Sequence, residues 1–88
     1  MLYFVHRQLL DQHERARLYL QNSPTKYRIL QLVADQPRYL SDLAEVLDVT
    51  PPTIFQHGEE LIELGVVNKE HVQGKAYLVI TRFGREFV

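Results

Sequence analysis

Apolar residues at Leu2, Val5, Leu9, Ala16 and Tyr19 keep to one face of a 3.6-residue repeat, and neither glycine nor proline interrupts residues 3–21. That pattern predicts a long first helix. Its other side carries Arg7, Asp11, Glu14, Arg15 and Arg17, yet Phe4, Leu10, Leu18 and Leu20 are further apolar positions. A helix with a single buried stripe needs fewer, so a second buried surface is expected. Ser23-Pro24 joins an N-cap to a proline at the first helical position, where the fixed φ suits a helix and the missing N–H costs nothing. A second helix is therefore predicted through Tyr27, Ile29, Leu30, Leu32, Val33 and Ala34. It ends before Pro37, because proline forces its predecessor out of the helical region.

Arg38, Tyr39 and Leu40 read as a short extended link, after which Ser41 caps a two-turn third helix with Leu43, Ala44 and Leu47 facing inward. Asp42 complements the positive end of that helix. Asp48-Val49 forms a turn, and Thr50-Pro51 repeats the cap-then-proline signal to open a fourth helix that reaches Leu64 and stops at Gly65. Ile54, Gly58 and Leu61 form its inner line, leaving Thr53, Gln56, Glu59, Glu60 and Glu63 outside. Residues 66–72 and 75–81 are rich in β-branched and aromatic side chains and flank Gln73-Gly74, the signature of a hairpin. Thr81 is placed to cap a last helical turn through Arg82, Phe83, Glu86 and Phe87, interrupted by Gly84.

Two helices around a brief turn, the second followed at once by a hairpin, are the sequence form of a winged helix-turn-helix. The expected fold is mainly α with a small β-hairpin: a long N-terminal helix, a three-helix core, a two-stranded wing and a short C-terminal helical turn. Leu43-Ala44, the turn, the Thr50 cap, inner Ile54 and Leu61, and the run Leu64-Gly65-Val66-Val67 make residues 39–67 resemble winged-helix transcriptional regulators of the ArsR and MarR types. Residues 80–88 resemble the thread that closes their wing, and the likeness extends over residues 24–88. It implies a homodimer whose fourth helices enter successive major grooves of duplex DNA, with the hairpin tips along the backbone or minor groove. The single domain then divides into a dimerisation helix (1–22), a helical core (23–65), a wing (66–81) and a C-terminal turn (82–88).

On that reading Thr50, Thr53, Gln56 and His57 occupy the first two turns of the recognition helix, within reach of base edges, and glutamine pairs bidentately with adenine. An ordinary polar helix face is the alternative. Pro51 and Phe55 share the surface, although Pro51 and Pro52 leave few backbone donors for phosphate. Lys69 and Lys75 flank the hairpin turn within reach of phosphates, or else blunt an exposed strand edge. Arg38, with Lys26 and Arg28, is a further backbone contact. Gly58 stands where related helices bury a leucine, so either Phe55 fills the gap or another element packs closely. Glu59, Glu60 and Glu63 would repel phosphates if the whole face lay in the groove, which implies a tilted helix entering by its N-terminal half. Leu2, Val5, Leu9, Ala16 and Tyr19 are the expected dimer contacts; the alternative is one face on the core and scattered surface leucines beyond it.

Composition changes this picture little. Eighty-eight residues make one domain, since folding units need about 50 to 200. The net charge of −1 gives no basic excess, but residues 1–28 and 68–88 are basic while residues 38–67 set Arg38 against Asp42, Glu45, Asp48, Glu59, Glu60 and Glu63. That acidic middle supports a second reading, a winged helix used for protein contact in a transcription or replication assembly. With no cysteine, disulfides and thiolate metal sites are excluded, including the third-helix cysteine site common in the resembled metal sensors. His6 and His13, seven residues apart, read as surface histidines rather than a metal pair, so no metal or cofactor is expected. No glycine-rich phosphate loop or acid–base pair marks an enzyme, and no residue singles out a small-molecule effector. The apolar runs 1–5 and 76–80 are far below the roughly 18 residues of a membrane span. The start lacks the features of a secretory leader, so the expected location is the cytoplasm.

Overall fold

In a computed structural model that describes the backbone of residues 2–88 and the side chains of residues 12–88, the uninterrupted stretch before Ser23 is a single helix, α1 (Leu2–Gln21). Among its described side chains, Ala16 and Leu20, one turn apart, are buried in the core, while Leu18 and Tyr19 point to solvent. Ser23 is extended, and its Oγ accepts the Lys26 N–H at 3.4 Å, which starts α2 (Pro24–Asp35) with its proline in the first turn. Ile29, Leu30 and Val33 form its buried face. Gln36 is extended, as the following Pro37 requires, and ends the helix.

The expected extended link is a short strand, β1 (Arg38–Tyr39), joined to β2 (Val67–Val72) and β3 (Lys75–Ile80) in a sheet of order β1-β3-β2. Both pairings are antiparallel, and the wing is therefore three-stranded rather than two-stranded. Arg38 lies opposite Leu78 and Tyr39 opposite Tyr77, whose rings meet edge-on at 5.9 Å. A cross-strand aromatic pair of this kind stabilises a sheet by a few tenths to about 1 kcal/mol. Pairing holds the chain extended through Tyr39, so α3 (Leu40–Leu47) begins directly after it. Ser41 consequently falls inside the first turn instead of capping it, and Tyr39 provides no side-chain cap.

Asp48 adopts the left-handed conformation (φ 55°) and passes the chain to α4 (Pro51–Glu63), which Thr50 caps as the sequence predicts. Ile54, Gly58 and Leu61 are its buried line. The site of a Cβ at Gly58 lies 3.4 Å from Leu40 and 3.9 Å from Leu78, so neighbouring elements fill the space and Phe55 stays outside. At the hairpin tip both Gln73 (φ 51°) and Gly74 (φ 80°) are left-handed, the conformation that matches a two-residue turn to the twist of its strands. Thr81 then folds the chain back over the start of β2. Its Oγ1 donates to the Gly65 carbonyl at 2.7 Å and accepts the Gly84 N–H at 2.9 Å. Gly84 does not interrupt the last turn but opens it, as the first residue of a 3-10 segment (Gly84–Phe87), because only a bare Cα fits against Val66 there.

Candidate nucleic-acid interface

Thr50 anchors the exposed end of α4. Its Oγ1 accepts the Thr53 N–H at 3.4 Å and lies 2.8 Å from the Thr53 hydroxyl oxygen. Burial of Ile54, Gly58 and Leu61 turns the opposite face outward, and Thr50, Pro51, Pro52, Thr53, Phe55, Gln56, Glu59 and Glu63 are all exposed on it. The Gln56 amide approaches only Glu60, at 3.5 Å, the outer limit of a hydrogen bond, so its donors and acceptor are available to a ligand.

His57 departs from the expected base-reading set. A 100° step beyond Gln56 carries it to the flank of α4 beside Lys26, where it is half-buried with Nδ1 enclosed and unpartnered. Burial, and then the Lys26 ammonium, push its pKa below the ordinary 6.5. The folded chain therefore favours the neutral ring, and the unfolded chain takes up the proton first. The resulting stability is whole above about pH 7 and is lost as pH falls through 6.5 towards the lower folded value. Thermal unfolding at pH 7.5 and 5.0 is expected to show a smaller acid-induced loss in His57→Gln than in the unmodified chain; equal losses would refute the assignment.

Three expected phosphate contacts are already engaged. Lys69 Nζ sits 2.6 Å from Glu59 Oε1 and 4.5 Å from the centre of the Phe55 ring, tying β2 to the outer face of α4. Lys26, only 12% exposed, pairs with Glu60 at 2.5 Å and holds that carboxyl below the usual carboxylate range. Arg38 donates Nε to the Leu32 carbonyl at 3.1 Å and Nη2 to Asp35 at 3.2 Å, so it serves the C-terminal end of α2 rather than standing free for DNA. Lys75 lies at the hairpin tip, 5.7 Å from the Tyr39 ring centre. Glu70, opposite Tyr77 in the sheet, accepts the Tyr77 hydroxyl at 2.7 Å and raises the phenol's pKa. Sequence reasoning missed these pairings; their local traces are the three-residue spacing of Asp35 and Arg38 and the i,i+4 spacing of Phe55 and Glu59, which aligns the latter two on one helix face.

Of the expected dimer contacts, Leu2, Val5 and Leu9 lie outside the described side chains. Ala16 is corrected: it is fully buried in this chain's own core, out of a partner's reach. Tyr19 is exposed beside Leu18, with Lys26 Nζ 5.3 Å from its ring centre. His6 is also outside the described side chains, whereas His13 packs on Phe87 at 4.8 Å. Among the described residues no three side chains gather in a metal-holding group, and no helix is long and apolar enough to cross a membrane.

Comparison with known proteins places this geometry. Residues 23–69 match the family described as bacterial regulatory protein, arsR family. No curated protein matches in sequence. The solved structures it resembles include a protein described as a possible transcriptional regulator for arsenical resistance, 24% identical with a TM-score of 0.72 over 81% of this chain and 74% of that one. BldR, a transcriptional regulator from Sulfolobus solfataricus, is 22% identical with a TM-score of 0.71 over 97% of this chain and 64% of its own. ZitR of Lactococcus lactis, a single-site mutant solved in complex with DNA, is 21% identical with a TM-score of 0.61 over 66% of this chain and 42% of its own. At these identities the likeness establishes the winged helix-turn-helix fold.

Proposed function

The chain belongs to the arsR family of bacterial regulatory proteins, DNA-binding regulators and not enzymes, and from that premise we propose that it binds double-stranded DNA sequence-specifically as a homodimer and represses by occluding a promoter. The observation that carries this reading is the outer face of α4. Thr53, Phe55 and Gln56 project from its first two turns with no structural duty in the core, on a helix held rigidly by Ile54 and Leu61. Such a helix offers base-reading chemistry to a major groove. The acidic residues concentrate in its second half, which favours entry by the N-terminal half. The hairpin tip with Lys75 lies against the backbone.

Residues 1–22 serve as the dimerisation helix, with exposed Leu18 and Tyr19 as the described part of its contact surface, residues 23–65 as the core, 66–81 as the wing and 82–88 as the closing turn. Binding to chromosomal DNA implies a cytoplasmic location. ZitR, solved with DNA, supports the same use of this fold.

A second reading, contact with a protein partner, draws support from the pairing of Lys26 and Lys69 with Glu60 and Glu59, which leaves the face of α4 with little positive charge. Selection of duplexes from a random library by the full chain separates the two. An enriched inverted repeat is expected, with affinity falling steeply with salt and lost in Thr53→Ala, Gln56→Ala. Failure to enrich any sequence, with negligible binding at low salt, would replace the DNA reading by the protein one. Sedimentation showing only monomer at tens of micromolar protein would remove the homodimer.

A further inference from the structure

We infer that α4 reads A·T pairs, with the Phe55 ring seated on a thymine methyl group, Gln56 on adenine, and Lys69 acting as the bracket that holds the ring. The inference rests on the DNA-binding reading above.

Phe55 is the large apolar side chain that α4 leaves in solvent, 51% exposed, and the core is complete without it because Leu40 and Leu78 occupy the space at Gly58. It is nonetheless held. Lys69 Nζ lies 4.5 Å from the ring centre and 2.6 Å from Glu59, one helical turn beyond Phe55. The ammonium is thereby fastened between a carboxylate and an aromatic ring, an arrangement that fixes a surface aromatic. Lys69, expected at a phosphate, is on this geometry a positioning residue.

The chemistry of the surface selects the base pair. In the major groove the thymine C5 methyl is the apolar feature, and adenine presents the N6 donor and N7 acceptor that a carboxamide matches. Guanine is read chiefly by arginine or lysine, and residues 50–57 contain neither. The two lysines that pair with α4, Lys69 and Lys26, are taken by Glu59 and Glu60. Thr50 and Thr53 add methyl groups of the same preference. Consecutive helical residues diverge by about 100°, so Phe55 and Gln56 address different base pairs.

The test uses the full chain and the duplex it selects from a random library, remade with deoxyuridine in place of individual thymines. Deoxyuridine keeps pairing and hydrogen bonds and removes only the methyl. At the contacted position it is expected to weaken binding about fourfold, the value of one buried methyl group. Phe55→Ala, at an exposed position, should fold normally and bind both duplexes equally. Lys69→Gln should reduce the thymine preference while the slope of log affinity against log salt changes by much less than the ~0.9 of a lost phosphate contact. Gln56→Ala should relax discrimination for adenine by about fivefold or more.

A selected site specified by G·C pairs at these positions, or equal deoxyuridine sensitivity in Phe55→Ala and the unmodified chain, would overturn the inference and leave DNA binding intact. A full phosphate-sized slope change in Lys69→Gln would overturn the bracket. If no duplex binds at any salt, the DNA-binding reading fails and this inference falls with it.

Discussion

Gly84→Ala is expected to lower the thermal midpoint by about 4–24 °C. A Cβ built at Gly84 falls 2.1 Å from the Val66 carbonyl oxygen, 3.0 Å from its carbonyl carbon and 2.9 Å from Ile80 Cγ1. The carbonyl cannot swing aside cheaply. It accepts the Thr81 N–H at 3.0 Å, while the Val66 N–H donates to Leu61 at 3.2 Å and its side chain is fully buried. Gly84 is in turn held by its own bond to Thr81 Oγ1. Relieving the overlap means separating the 3-10 segment from the start of β2, at the joint where the chain crosses itself. Overpacking of this kind costs about 1–3 kcal/mol, and each kcal/mol moves the midpoint of a domain this small by about 4–8 °C. Gly58→Ala is the matching control. Its Cβ would meet Leu40 and Leu78 at ordinary contact distance and remove a helix-interior glycine, a gain of up to about 1 kcal/mol. Calorimetry should therefore show the two glycines responding in opposite directions, and an unchanged midpoint for Gly84→Ala would contradict the packing described at Val66.

Glu59→Gln is expected to tighten non-specific duplex binding roughly tenfold at low salt and to steepen the salt dependence by about one phosphate contact, or ~0.9 in log–log slope. Two effects act together. The variant removes a negative charge from the outer face of α4, and it releases Lys69 from the 2.6 Å pair that now holds it. A freed ammonium on β2, beside the helix face, can reach a phosphate. Glu63→Gln separates the contributions, since Glu63 is exposed on the same face without a described ion pair and its loss removes charge without freeing a cation. It should raise affinity less and leave the slope nearly unchanged. Loosening Lys69 also loosens the Phe55 ring, so the gain in non-specific affinity should come with weaker thymine preference. A Glu59→Gln slope equal to that of the unmodified chain would mean that this face does not approach phosphates, and would favour the protein-contact reading.

The fold was legible wherever neighbouring residues carry the signal. Ser23-Pro24 and Thr50-Pro51 open their helices because a side-chain oxygen and a fixed φ act within one turn. The inner line of α4 follows from helical repeat alone, and Gln73-Gly74 makes the turn through its own backbone preference. The interface was legible as a face but not as a set of working groups. Thr53, Phe55 and Gln56 stand outward as periodicity requires, whereas His57, one step further round, faces α2.

Other features have no local cause. β1 exists because β3, far along the chain, offers Tyr77 and Leu78 to Tyr39 and Arg38. Gly58 is tolerated because Leu40 and Leu78 converge on it from two other elements. Whether a lysine is free for phosphate depends on which carboxylate folding brings to it, and for Lys26 and Lys69 those are Glu60 and Glu59 on a different element. Caps, turns and helical faces are properties of a few consecutive residues and can be read in order along the chain. Charge pairing and close packing belong to residues that meet only after the chain has folded, so the outward face of α4 was determined locally and its electrostatic character was decided by tertiary contacts.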